Sequence, residues 1–319
     1  MPLVDMPLEK LREYTGTNPR PADFDTYWDT ALAEMNELNA AVDFIPAQFQ
    51  TPCAECFDLF FTGVRGARIH AKFIKPRGIK TPAPAILQFH GYSGNSGDWS
   101  GLLQHAARGY VVAAIDVRGQ GGLSDDAGAV RGPTHHGHII RGLEDSPQKL
   151  LFRDIFLDCA QLAGIVMDMD YVDATRVGAQ GGSQGGALTL ACAALEPRIK
   201  RAAPTFPFLC DYKRVWQMDL AKDAYAELRT FFRHFDPKHE REEAIFERLG
   251  YIDIQFLAPR IRAEVLMGVG LMDAVCPPSS QFAAFNKIKS KKHLSIFPDF
   301  AHETLPGFND EVFGFMDGL

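Results

Sequence analysis

From residue 56 onward the chain alternates short apolar runs with longer stretches of helical spacing. The first two runs, 57–62 and 67–74, flank Gly63-Val64-Arg65-Gly66, a punctuation that predicts a hairpin. The second of them alternates apolar and polar residues, as a half-buried strand does. The run 84–90 is mostly apolar, which predicts a buried central strand. Further runs at 110–115, 176–180, 202–206, 265–269 and 293–297 bring the candidate strands to eight. Most of the later ones alternate with helical stretches such as 151–167. The pattern implies an α/β fold, with a mostly parallel eight-stranded sheet, helices on both faces and the first strands antiparallel.

Two segments stand outside this alternation. Residues 1–50 read as an N-terminal helical extension, because Phe24, Trp28, Leu32 and Met35 recur at helical spacing and Pro21 stands just before them. Residues 208–260 are polar, aromatic and mainly helical, and read as a cap insertion over the site. No internal repeat, low-complexity tract or interdomain linker interrupts residues 1–319, so one domain is expected.

Composition narrows the class without changing the fold. With 46% hydrophobic and 23% charged residues, the 319-residue chain can bury a large core. A net charge of −7 and the lack of a Lys/Arg-rich run argue against nucleic acid or an anionic membrane as partner. The first ten residues lack the basic start and apolar middle of a leader, and no stretch approaches a membrane span. A cytoplasmic location is therefore expected. Cys53 and Cys56 form a lone C-x-x-C with no second pair at zinc spacing, and are read as ordinary thiols near the start of a strand.

The candidate chemistry centres on residues 177–188. Gly181-x-Ser183-x-Gly185 stands between a short strand and a helix, the nucleophile-elbow pattern. Glycines on both sides let strand and helix approach closely, and the positive end of the helix faces the serine. A serine hydroxyl needs a base, and the base needs an acid to fix its tautomer. In the α/β-hydrolase fold those residues follow in the order Ser, Asp/Glu, His. Asp273 follows the run ending at 269 and His302 follows the run ending at 297. Ser183 is therefore the expected nucleophile, His302 the base and Asp273 the orienting acid. Asp299 is a rival acid that fits the topology less well, since it shares a loop with His302. The backbone N–H groups of Gln184 and Tyr92 are the expected oxyanion donors.

Other groups are given less weight. His135-His136-x-His138 invites a zinc reading, but no carboxylate stands at helical spacing and no H-E-x-x-H occurs, so a structural or surface role is preferred. Phe206, Phe208, Trp216, Phe231 and Phe232 are expected to line the core or the cap, with an aromatic acyl pocket as an alternative. No metal and no organic cofactor is expected. The rival functions are another serine hydrolase such as a general short-chain carboxylesterase, a catalytically silent binding module of this fold, and a metal hydrolase using the histidines.

The chain resembles the bacterial cephalosporin-C deacetylase/acetyl xylan esterase family, carbohydrate esterase family seven, over nearly its whole length. The resemblance is carried by the 23–28 region, His90-Gly91-Tyr92, Arg118-Gly119-Gln120, Gly181-Gly182-Ser183-Gln184-Gly185-Gly186, Gly270-Leu271-Met272-Asp273 with Cys276-Pro277-Pro278, and His302-Glu303. It implies an intracellular carboxylesterase that removes acetyl groups from short acetylated sugars such as xylooligosaccharides, and often from cephalosporin C. It implies a homohexamer whose active sites face an inner cavity. By the same resemblance Ser183, Asp273 and His302 form the triad and Tyr92 contacts substrate. Arg118 and Glu303 stand in two of the motifs and are expected to pair and brace the site. The resemblance leaves the role of 121–141, with its Asp and His residues, open.

Overall fold

The computed structural model describes residues 4–127 and 138–319. Nine strands form one sheet: β1 (Asp43–Pro46), β2 (Ala54–Thr62), β3 (Arg68–Pro76), β4 (Ala83–Phe89), β5 (Val111–Ile115), β6 (Val172–Gly182), β7 (Arg201–Thr205), β8 (Glu264–Gly270) and β9 (Lys292–Phe297). Their order is β1-β2-β3-β5-β4-β6-β7-β8-β9. The pairs from β1 to β3, and β3 with β5, are antiparallel. From β5 to β9 every neighbour is parallel.

The sheet thus has nine strands where the sequence pattern implied eight. The added one, β1, lies inside the segment read as a helical extension. It is a four-residue strand, Asp43-Phe44-Ile45-Pro46, exposed throughout, so burial leaves no period-2 signature. Its proline sits where proline is tolerated, on a sheet edge. The hairpin is observed, with β2 and β3 in register from Ala54–Pro76 to Thr62–Arg68. β3 is less half-exposed than its alternation implied, because β2 and β5 flank it and its polar positions are largely covered.

The centre of the sheet explains the continuous apolar runs. β4 is paired on both sides, and β5 is buried at every position. The helix Gln184–Leu195 is buried along its whole length and the helix Leu151–Met167 nearly so. A helix buried on all sides needs cover on all sides. The helix Phe24–Asn36 supplies part of that cover, turning Phe24, Tyr27, Trp28 and Ala31 inward. Trp28, fully buried, stacks on Phe156 at 5.9 Å between ring centroids. Burial of one such side chain is worth about 2–3 kcal/mol.

Segment 208–260 contains the helices Tyr212–Gln217, Ala226–Phe235 and Glu242–Leu249. Phe208, Phe231 and Phe232 are buried in it, and Trp216 packs against the core partly exposed. Asp211 anchors the segment's start to the N-terminus. Its carboxylate accepts from the Tyr14 hydroxyl at 2.8 Å and the Asn18 N–H at 2.8 Å. Among the described residues no helix is long and apolar enough to cross a membrane.

Candidate active site

The C-terminal ends of the parallel strands converge on Ser183. β6 ends at Gly182, Ser183 takes φ 58° and ψ −118°, and the helix begins at Gln184. That left-handed angle is sterically costly for a residue with a Cβ, and the surroundings hold it there. The Ser183 N–H donates to the Thr205 carbonyl at 3.0 Å, and its carbonyl accepts from the N–H groups of Ala187 and Phe208. The glycines around it are a packing requirement. A Cβ on Gly185 would lie 2.0 Å from the Phe89 carbonyl oxygen, and one on Gly181 2.5 Å from the same atom.

His302 and Asp273 reach the serine from the loops after β9 and β8. Those loops are tied backbone to backbone. The Leu271 N–H donates to Phe297 O at 3.1 Å and the Met272 N–H to Phe300 O at 2.9 Å. A Cβ on Gly270 would lie 2.3 Å from the Phe300 carbonyl oxygen, so only glycine permits this approach. The outcome is one chain of hydrogen bonds. His302 Nδ1 donates to Asp273 Oδ2 at 2.8 Å, and the Ser183 hydroxyl reaches His302 Nε2 at 3.0 Å. A carboxylate on Nδ1 selects the tautomer whose Nε2 accepts a proton.

Asp273 is fully buried and its oxygens are occupied. Oδ1 accepts from the N–H groups of Val275 at 2.9 Å and Cys276 at 2.8 Å, and Gln281 Nε2 adds a longer contact to Oδ2. Phe206 packs on the His302 ring at 4.4 Å between centroids. Asp299, the rival acid, is exposed, and the carboxylate bonded to His302 is that of Asp273.

The loop after β4 forms the opposite wall. The Ser93 N–H donates to Gln120 Oε1 at 2.9 Å, and the amides of Gln120 and Gln184 bond reciprocally at 2.7 and 3.0 Å. Gln120 thereby couples the His90-Gly91-Tyr92-Ser93 loop to the first residue of the elbow helix. His90 closes the loop on itself: Nδ1 donates to Gly91 O at 2.7 Å, while Nε2 accepts from the Val117 N–H at 3.0 Å. Burial holds the His90 pKa below its ordinary value, consistent with a neutral ring that both donates and accepts. The Tyr92 ring meets Phe208 edge-on at 5.3 Å, and its hydroxyl donates to Glu227.

One expected contact is absent. Arg118 does not pair with Glu303. Its guanidinium is wholly buried and forks onto Asp158, both N···O distances being 2.6 Å, with Val64 O also accepting from it. Glu303 instead accepts the Ala301 N–H at 3.0 Å, bracing the residue before His302. A signal for the true partner was present in the sequence. Asp154 and Asp158 stand one turn apart in a mostly apolar helix, and buried acids there require a cation. Glu227 had no such signal, since an acid near a helix start is ordinary.

His135 and His136 lie outside the described residues; His138 is buried and its Nε2 donates to Gly119 O at 2.9 Å. Among the described residues, Asp273, Cys276 and His302 bring three potential metal-binding atoms within 4.8 Å of one another. The first and last are bonded to each other, and burial keeps the Cys276 thiol well above its ordinary pKa, disfavouring the thiolate that metals bind. The six cysteines are all free; only Cys53 is exposed.

A family model described as acetyl xylan esterase (AXE1) matches residues 1–319. The chain belongs to the acetyl xylan esterase family. Solved relatives agree. Acetyl xylan esterase 1 from Thermoanaerobacterium sp. JW/SL YS485 is 59% identical, with 98% of each chain covered and a TM-score of 0.97. The acetyl xylan esterase from Paenibacillus sp. R4 is 36% identical, covering 98% of this chain and 99% of that one, with a TM-score of 0.93. The acetyl esterase Axe7A of Xylanibacter ruminicola is 24% identical over 302 residues, 93% of this chain but only 66% of that protein's length. The esterase described here is accordingly a carboxylic ester hydrolase built on the α/β-hydrolase fold.

Proposed function

We propose that this esterase removes acetyl groups from short acetylated xylooligosaccharides and from cephalosporin C, through an acyl-enzyme on Ser183. The observation that carries the reading is the hydrogen-bonded series Ser183–His302–Asp273 at 3.0 and 2.8 Å. His302 Nε2 takes the hydroxyl proton as Ser183 Oγ attacks the acetyl carbonyl. The oxyanion that forms is met by the backbone N–H groups of Tyr92 and Gln184, the latter in the first helical turn, where N–H groups lack an intrahelical acceptor. His302 then protonates the leaving sugar oxygen. Water, deprotonated by the same nitrogen, attacks the acyl-enzyme and releases acetate, restoring Ser183. Asp273 holds the imidazole and stabilises its charge throughout.

In this reading residues 1–319 act as one catalytic unit, with 1–50 as an extension and 208–260 as a cap, a placement supported by the contacts of Phe208 and Glu227 with Tyr92. Assembly as a cytoplasmic homohexamer belongs to the same proposal. It is supported by the apolar side chains of Phe44 and Ile45, 39% and 52% exposed on the edge strand β1. The deciding experiment is hydrolysis of acetylated xylooligosaccharides, cephalosporin C and a graded series of p-nitrophenyl esters by the wild type and Ser183→Ala. Acetate release by the wild type, falling steeply towards butyrate esters and abolished in the variant, is expected. Wild-type-like turnover in Ser183→Ala would end the proposal. Light scattering of the purified protein tests the hexamer.

A further inference from the structure

Glu227 is 1% exposed and has no cation as ion-pair partner among the described residues. Its donors are neutral. Oε1 accepts the Tyr92 hydroxyl and Oε2 accepts the Ile140 N–H at 3.0 Å. The N–H groups of His138 and Ile139 also face it, and among the described residues the buried Tyr212 phenol and the titratable His138 belong to the segments around it. A buried carboxylate met only by neutral donors among the described residues costs the folded state its desolvation, a loss that an apolar residue in its place would avoid. Its presence calls for a role that neutral packing would not fill.

The geometry supplies one. The carboxylate joins three segments far apart in sequence: the loop after β4, the 138–140 stretch and the helix Ala226–Phe235. Tyr92 leads from it towards the reaction centre, for its ring packs on Phe208, whose N–H bonds the Ser183 carbonyl at 3.0 Å. Gln120 fixes the neighbouring Ser93, and Glu227 fixes the far end of the Tyr92 side chain. We propose that Glu227 is a positioning residue for ester hydrolysis, holding the Tyr92 ring and thereby the Tyr92 N–H that faces the oxyanion. The proposal rests on the Ser183 acyl-enzyme reading above.

The charged form is the one that does this. Both carboxylate oxygens accept hydrogen bonds: a proton on Oε2 sets donor against the Ile140 N–H, and one on Oε1 forces the Tyr92 hydroxyl to turn and accept. Burial pushes the carboxyl pKa from 4.5 up to about 7, partly offset by the Tyr92 and backbone hydrogen bonds. An acid whose folded pKa is raised loses folded-state stability as pH rises from its unfolded value to its folded one. The melting temperature of Glu227→Gln should therefore gain on that of the wild type between about pH 4.5 and 7, while the variant catalyses less well.

The test uses p-nitrophenyl acetate with the wild type, Glu227→Gln, Glu227→Asp, Tyr92→Phe and the Glu227→Gln/Tyr92→Phe pair. For Glu227→Gln with wild-type circular dichroism, kcat is expected to fall about tenfold or more with KM within about threefold, since a mis-set oxyanion donor harms the transition state more than the ground state. Glu227→Asp should recover part of the loss, and the double variant should be no worse than the poorer single one. Wild-type kcat in folded Glu227→Gln, or losses that multiply in the double variant, would overturn the proposal. Should Glu227→Gln not fold, unchanged kcat in Tyr92→Phe would overturn it alone. A fluorophosphonate probe separates the two readings. A wild type unlabelled at Ser183 refutes the acyl-enzyme itself, whereas normal labelling with undiminished Glu227→Gln turnover refutes only the role of Glu227.

Discussion

His302 and His70 each donate from Nδ1 to an aspartate, at 2.8 Å to Asp273 and 2.6 Å to Asp116. The difference lies on the other nitrogen. Nε2 of His302 meets the Ser183 hydroxyl, a group that can give up a proton. Nε2 of His70 meets a second carboxylate, Asp58, at 2.9 Å. Burial lowers the His70 pKa, but the two carboxylates outweigh it and hold the value above the ordinary one, favouring the imidazolium. Burial likewise opposes ionisation of Asp116, yet His70 and the N–H groups of Leu123 and Ser96 hold its carboxyl well below the usual range. The same residue pair is thus set against a hydroxyl in the parallel half of the sheet, as the proposed base, and against a second carboxylate in the antiparallel half, as a buried ion pair. An imidazole–aspartate contact alone does not identify a catalytic site; the partner of the free nitrogen does.

The sharpest break of this comparison is Ser183→Ala, which removes the group that makes His302 different. Turnover of p-nitrophenyl acetate should fall by about 10⁴–10⁶-fold with an unchanged melting temperature. Next, Asp273→Asn should lower turnover by about 10⁴-fold, because the imidazole loses its tautomer control. Asp116→Asn should leave turnover per folded molecule within about threefold and appear instead as lost stability. If both aspartate variants behave alike, the distinction fails.

A smaller effect is expected of His70→Phe, which strands Asp116 in the interior. Removing one partner of a buried pair costs about 3 kcal/mol, readable in urea titrations. The sign with pH follows from the raised His70 value. Its contribution is fully present below the unfolded value of 6.5 and is lost as pH rises through the folded one. The deficit of His70→Phe should thus be largest near about pH 6 and shrink in alkali; a deficit that grows with pH would refute the imidazolium. Smallest of all, Gln120→Ala breaks the reciprocal amide pair with Gln184 but removes no oxyanion donor. A fall in kcat of about tenfold, below the 10²–10³-fold typical of a lost donor, is the expected result.

The two halves were also unequally legible. Ser183, Asp273 and His302 can be brought together on paper because each follows an apolar run; cover on both faces forces such a run in β8, and the edge strand β9, half-buried at most, keeps a shorter one. The antiparallel edge gave less: β1 is short, exposed and proline-ended, so neither period nor apolarity marks it. Arg118 is expected to pair with Glu303 because both stand in recognisable motifs, whereas its partner Asp158 is marked only by its place, one turn after Asp154, in a mostly apolar helix. Glu227 could not be found by pattern at all. Its importance comes from where the helix Ala226–Phe235 carries it, and that depends on packing rather than on neighbours in sequence.

The helix that begins at Gln184 has no solvent-facing side from its first residue to Leu195. Fraying it would bare apolar surface along its whole length, so it can open only when the sheet around it opens. Its amide protons should consequently be among the slowest in the molecule to exchange with deuterated water. Heating should likewise extinguish activity together with the far-ultraviolet signal, with no cooler step at which the fold survives and the nucleophile is lost.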